Sequence, residues 1–578
     1  MSRPDGSCRR GVRLTSLRAV SAALALAVLA VLGGCATIPT SGPVRQGDVD
    51  LSNPGFAIPF ANDPPQDGTP LEIVSGFLLA GPAGLSDEFT VARKFLTPQA
   101  ATRWDPSARV LVYPLLGGGP EITVGADGDA IVDVPVQGFL DANGVYNEAP
   151  AGAHEQLQLT LSQTIDDQWR IDGLDDVVLV SASDFENEYR EVPVYFVSID
   201  GTQLVPDIRW LPGSKIAIYA VRALLGGPSA WLRDAVLTGV PDGSRLGPQS
   251  VTIAEDRVAM VDLAGGAAGA DEDQRNLLMA QLDATLRRLP GAVVSDVVTS
   301  VAGGLPWVST ADVLPLRDVT ATNGPYALAG DRLVEFVDGT ITPVAGVAPL
   351  PVGSRSPAVS LDEDLCVVLT APGALESVSS DGLAPVRLVT GSRLIAPSID
   401  RYTWIWTGES AAEGSLTAVR ADGTSVSVPA DWLNGLNIRS LSVSRDGARI
   451  AVVHSGTDGR VVVDVAAIVR DESGRPQRLG VQFEVAASVE DPVEVAWSDE
   501  ATLAVLGRRG SDKALVVNRV PVGGPTSSLP LVKDAVALAA GLGDRALYVA
   551  DADGVLFARQ GATWVQVAEG VIDPRFPG

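Results

Sequence analysis

Read as apolar and polar positions, the chain changes texture four times. Residues 1–34 begin with Arg3, Arg9, Arg10, Arg13 and Arg18, and Ala19 to Leu32 is then a largely apolar run of 14 residues. That run is short for a membrane span and suits the apolar part of an export signal. Residues 35–65 are rich in proline with little periodicity and predict a tether. From residue 66, Ile73, Val74, Phe77 and Leu78 fall at helical spacing, predicting a helix that stops at Gly81-Pro82. A second helix is expected from Asp87 to Phe95, with Phe89, Ala92 and Phe95 on one face, ending before Pro98. Alternating runs follow, "ARVLVYPLL", "AIVDVPVQGFL", "HEQLQLTLSQTI" and "QWRIDGL", with turn residues between them. Helices followed by an antiparallel sheet predict an α+β domain over 66–187.

The next unit, 190–304, reads strand, helix, strands, helix, strand, an α/β pattern. A hairpin turns at Asp200-Gly201 and a helix closes at Gly226-Gly227-Pro228. A second hairpin turns around Glu255-Asp256. Asp271 with Gln274 three residues on predicts a capping box, ahead of a helix face of Leu278, Leu282, Leu286 and Leu289. "AVVSDVVTSVAGG" closes the unit as a strand.

Beyond Trp307 short strands replace helices. The stretches "YALAGDRLVEF" at 326, "PAVSLDEDLCVVL" at 357, "PSIDRYTWIW" at 397, "LSVSRDGARIAVV" at 441, "VAWSDEATLAVL" at 495 and "AAGLGDRALYVA" at 539 each read strand, tight turn, strand. Spacings of 31 to 54 residues are those of one four-stranded blade, so 316–578 is expected to be an all-β propeller-like domain. A pair of β-sandwiches would give similar strands, but repetition over so long a stretch favours the propeller.

Leu32-Gly33-Gly34-Cys35 resembles a bacterial lipobox. The resemblance implies cleavage before Cys35, acylation of its thiol, and attachment to the lipid bilayer without a spanning helix. An uncleaved anchor, or a secretory signal with a chance cysteine, are the alternatives. Cys8 leaves with the signal, so only Cys35 and Cys366 remain. An acylated Cys35 leaves Cys366, in the apolar "LCVVLT", as a buried thiol.

The full chain carries a net −27; without residues 1–34 it keeps 38 basic and 69 acidic side chains, a net −31. Such a surface excludes binding to nucleic acid or anionic headgroups and suits a protein partner.

Candidate chemistry is sparse. His154 and His454 are the only histidines, expected exposed at strand ends, and no H-E-x-x-H, G-x-S-x-G, C-x-x-C or phosphate-loop motif is present. No catalytic residue, metal ligand or cofactor is therefore assigned. The acids of "DDQWRIDGLDD" at 166–176 are expected in turns around the strand-core residues Trp169 and Ile171, and "DADG" at 551–554 reads as a hairpin turn rather than a calcium loop. Trp404, Trp406 and Trp432 could stack on sugars, but strand spacing in "YTWIWTG" favours blade core.

The stretches "VYFVSIDG", "AVRALLGGP", "LTGVPDGSRL", "VAMVDLA" and "LDATLRRLPGAVVSDVV" resemble a GerMN domain, with Val301-Ala302-Gly303 standing where that family ends in V-D-G. A lipobox, "CATIPTSGPV", a helix–sheet domain, a GerMN domain and a propeller together resemble the actinobacterial LpqB family. The resemblance implies an extracytoplasmic, lipid-anchored, non-enzymatic protein. Its partner would be the extracytoplasmic domain of a two-component sensor histidine kinase (MtrB-like), in envelope homeostasis and division. A peptidoglycan-binding or wall-modifying protein is the alternative.

Overall fold

The computed structural model describes residues 62–578 apart from 116–117, 312, 318–323, 338, 372, 382, 411–414, 457–458 and 510–513. The expected signal, lipobox residues Leu32, Gly33 and Gly34, the lipidation site Cys35 and most of the tether lie outside these residues.

Helix α1 (Pro70–Asp87) starts at a capping box in which Thr69 and Glu72 satisfy each other's backbone N–H. The expected stop at Gly81-Pro82 is wrong: the helix runs through Pro82 to Asp87. Proline removes one donor from the ladder, but tertiary packing outweighs that loss. Ala80 and Ala83 are buried, and a Cβ on Gly81 would stand 3.3 Å from Val178 Cγ1, so glycine seats the helix closely on that strand. The second expected helix shrinks to α2 (Thr90–Lys94), because Glu88 and Phe89 take left-handed backbone angles and break it. Helix α3 (Pro98–Arg103) is capped by Thr97.

The strands form two sheets, not one antiparallel sheet. Glu121–Val124, Ala130–Pro135, His154–Gln163 and Trp169–Gly173 make an antiparallel layer. Tyr146–Glu148, Gly138–Asp141, Arg109–Tyr113 and Val178–Ser181 make a second, whose last pair is parallel because the intervening chain crosses to the other layer. Ile73, Val74 and Phe77 pack with Trp104, Leu111, Val132 and Ile171 as one core.

Helix α4 (Ala182–Glu188) feeds directly into the next domain. There Tyr189–Ser198 and Leu204–Pro212 pair as a hairpin around Asp200-Gly201. A second sheet joins Ser244–Ile253, Val258–Gly265 and Asp296–Val301, the last two parallel. Helices α5 (Ile216–Gly226) and α6 (Glu272–Leu286) cover it, and the capping box of Asp271 and Gln274 is present. Ala220, Val221 and Leu224 meet Leu278, Leu282 and Leu286 in the core. At the edge where the chain reads Val301-Ala302-Gly303, buried Asp262 accepts the N–H of Gly303 at 2.9 Å and of Gln249 at 3.2 Å.

Among the described residues, six four-stranded antiparallel sheets follow as propeller blades. The first holds Tyr326–Ala329, Arg332–Val337 and Thr340–Pro343 and takes its innermost strand, Ile572–Arg575, from the far end of the chain. The repeat at 326 is therefore one strand out of phase with the others, hence the 31-residue spacing after it. Blades two to six span 355–390, 398–428, 437–485, 490–528 and 535–569. Their inner turns use short acids: Asp400 accepts from Tyr402 N and Trp404 N, and Asp446 from Ala448 N. Arg575 donates to Leu538 O at 2.9 Å and to the Glu494 carboxylate, which itself accepts from Leu538 N; Gly578 N donates to Val359 O. The closing strand thus ties together four blades.

Candidate functional site

Consecutive blade strands alternate direction, so the turns after the first and third strands of each blade lie on one face. The hairpin 189–212 and the segment around Trp231 sit on that face over blades three to five. Arg401 reaches Asp200 at 2.5 Å, Arg478 reaches Asp234 at 2.7 Å, and Trp210 Nε1 donates to Gly523 O at 2.8 Å. Trp231 stacks on Phe483 with ring centroids 5.7 Å apart. Val205, Trp231, Leu232 and Ala235 form one hydrophobic cluster with Val463, Val465 and Val505. Burial of that apolar surface, at about 25 cal/mol per Å², is the main force joining the two domains.

Charges inside this interface are paired. Arg449, 1% exposed, binds the Asp446 carboxylate, Glu500 O at 2.6 Å and Pro206 O at 3.4 Å, and lies over the Trp497 ring. Asp207 and Arg209, both buried, pair at 2.7 Å; Ser229 donates twice to the carboxylate, and Arg209 donates to Asn143 O of the N-terminal domain. Glu148 of that domain accepts from Ser488 Oγ at 2.8 Å, in the link between blades four and five, and from Thr526 Oγ1 at 2.7 Å on blade five. Each buried ion is hydrogen-bonded, so desolvation is offset and the three domains hold a fixed arrangement. The signal for this in the sequence is faint: Asp207 and Arg209 interrupt the apolar "LVPDIRWL" on a strand buried on both faces.

Burial and hydrogen bonds set the charge states. Burial raises the Asp200 carboxyl, but donors from Ser198, Arg401 and Thr202, with the Arg401 charge, outweigh it and hold the group well below the ordinary range. Burial, then the Glu500 charge, pushes the Tyr195 phenol up, keeping it protonated as a donor.

The chemistry-bearing residues singled out from sequence are not brought together. His154 is exposed and pairs with Asp133 at 2.9 Å. His454 is not exposed at a strand end as expected; it is buried, its Nε2 2.7 Å from Asp464, which lies on the facing strand and supplies the missing partner. In 166–176, Asp172 is not in a turn as expected but within the strand Trp169–Gly173, where it accepts from Thr97 Oγ1 at the start of α3. Asp176 accepts from Asp105 N, so these two acids tie the strand and the segment after it to α3 and its exit. Asp551 accepts from Asp553 N and Val555 N, a hairpin turn. Trp404 and Trp406 are buried blade core, and half-buried Trp432 donates to Gly480 O, so the first two offer no face to a sugar. Cys366 is buried and free, and burial pushes its thiol up to about 12. Among the described residues no group of three His, Cys, Asp or Glu side chains is gathered for a metal, and no helix is long and apolar enough to cross a membrane. What the arrangement offers is a stiff surface, and among the described residues none of these interdomain hydrogen bonds and ion pairs falls on blades six, one or two.

Three family models match the chain. They are the lipoprotein LpqB N-terminal domain over 63–186, the sporulation and spore germination domain over 193–303, and the lipoprotein LpqB beta-propeller domain over 331–577. The chain is 32% identical over 412 residues to Lipoprotein LpqB of Bifidobacterium longum, covering 68% of this chain and 69% of that one. It is 30% identical over 539 residues to Lipoprotein LpqB of Rhodococcus opacus, covering 86% of each. With Lipoprotein LpqB of Cutibacterium acnes it shares 28% over 607 residues, 96% of this chain and 99% of the relative.

Proposed function

The chain belongs to the lipoprotein LpqB family, and from that premise we propose that it is a lipid-anchored interaction protein of the envelope. Its anchor is Cys35, acylated after cleavage behind Leu32-Gly33-Gly34, on the extracytoplasmic face. It works by contact rather than by catalysis. The partner is the extracytoplasmic domain of an MtrB-like sensor histidine kinase, and the contact serves envelope homeostasis and division.

The observation that carries this reading is the paired interface of buried Asp207, Arg209, Tyr195 and Arg449 with half-buried Glu500. Large buried charge networks of this kind fix the relation between domains and so pre-organise a surface for binding. The acidic body, standing off the bilayer on a proline-rich tether, suits a protein partner and not the lipid surface itself.

Cross-linking in living cells, followed by identification of the captured protein, tests the reading. A sensor kinase captured through its extracytoplasmic domain supports it. Release of soluble wall fragments from sacculi by the purified body would replace it with the wall-modifying alternative.

A further inference from the structure

On the open half of the propeller face, a cleft of about 410 Å³ runs between the sixth and first blades. Its lining includes Phe336, Tyr548, Ala558, Arg545, Arg559 and Gln560. Phe336 and Ala558 are buried and make an apolar floor. Arg545 and Gln560 are exposed. Among the described residues no carboxylate pairs with Arg545 or Arg559; Arg559 lies over Trp564, 5.5 Å from the ring centroid, and its Nη1 has no hydrogen-bond partner. In a chain of net −27, a cleft whose described lining holds two arginines and no Asp or Glu is a local inversion of charge.

We propose that this cleft receives an acidic segment of a partner protein, an Asp or Glu carboxylate meeting Arg545 and an adjacent apolar side chain resting on the floor. The proposal rests on the interaction reading above and gives that contact a place and a chemistry. The volume suits one or two side chains. Complementary charge at the rim gives specificity and association rate, and the apolar floor adds burial. A glycan fits less well, because stacking needs an open aromatic face. Tyr548 is flanked by Phe336, edge-on with centroids 5.8 Å apart, and by Phe576 at 5.7 Å.

The test uses the full chain in cells, with a photo-reactive benzophenone amino acid in place of Gln560 in one strain and of exposed Val313 in another. The expected result is a polypeptide cross-linked at position 560, mapping to a stretch where Asp or Glu adjoins an apolar residue. Arg545→Glu should lower that yield about tenfold while Arg545→Lys largely keeps it, with thermal stability unchanged in both because Arg545 is exposed and unpaired among the described residues. Equal yield in Arg545→Glu, or an adduct at position 560 that muramidase releases as glycan, overturns the assignment. Capture of a partner only from position 313 also overturns it and leaves the interaction reading standing. Capture from neither position overturns both.

Discussion

Tyr195 Oη donates to Glu500 Oε1 at 2.7 Å, joining the hairpin of the middle domain to a propeller turn 305 residues away. Arg288 and Arg317 approach the same carboxylate at 3.5 and 3.7 Å. One acid therefore gathers the hairpin, the region after helix α6 and the entry to the propeller. Tyr195→Phe keeps the ring in its buried site and removes only the donor. Because the acceptor is a carboxylate, it is expected to cost about 1.5–3 kcal/mol in denaturant unfolding. An unchanged midpoint would mean that solvent or an arginine replaces the bond without loss.

Arg449→Met leaves the buried Asp446 carboxylate without its cation. The expected loss is about 3–5 kcal/mol, the scale for breaking a buried pair from one side. Adding Asp446→Ser should restore part of it, since the stranded charge is then gone. A double variant as unstable as the single one would show that Arg449 acts through its contacts to Pro206 and Glu500 instead.

The interface should weaken in acid through Asp200. Its folded carboxyl sits below the ordinary value, so its contribution is fully present above about pH 4 and is lost as pH falls further. Comparing unfolding of the native protein and Asp200→Asn from pH 7 to pH 3 reads this directly. The native protein should be the more stable at pH 7, with the gap starting to narrow below about pH 4 and still open at pH 3. A constant gap across the range would assign the difference to something other than this titration.

Cys366 lies within the second blade with its thiol pushed up to about 12 by burial. Native protein at pH 8 is expected to resist iodoacetamide, and unfolded protein to react fully. Rapid labelling without loss of structure would contradict the packing assigned to that blade.

Much of the fold is written locally. The box of Asp271 and Gln274, the hairpin at Asp200-Gly201 and the blade hairpins all depend on neighbours a few residues apart, and the apolar periodicity marks them. Where the structure departs from local pattern, the causes are long-range. Pro82 stays helical because Gly81 seats α1 on the strand of Val178, and His454 is buried because Asp464 faces it from the next strand. The first blade borrows Ile572–Arg575 from the far end of the chain, which a repeat spacing hints at without explaining. The docking of the middle domain onto blades three to five depends on pairs such as Arg449 with Pro206, 243 residues apart. Only the two charges within "LVPDIRWL" betray it, because buried charge in an apolar strand requires a partner from elsewhere.

The proposed function depends on attachment at one residue, and mass spectrometry of the protein purified from its own membranes tests that most directly. A mature chain beginning at Cys35, heavier by a thioether-linked diacylglycerol, is the result it requires. An unmodified Cys35 with the preceding 34 residues still in place would contradict it.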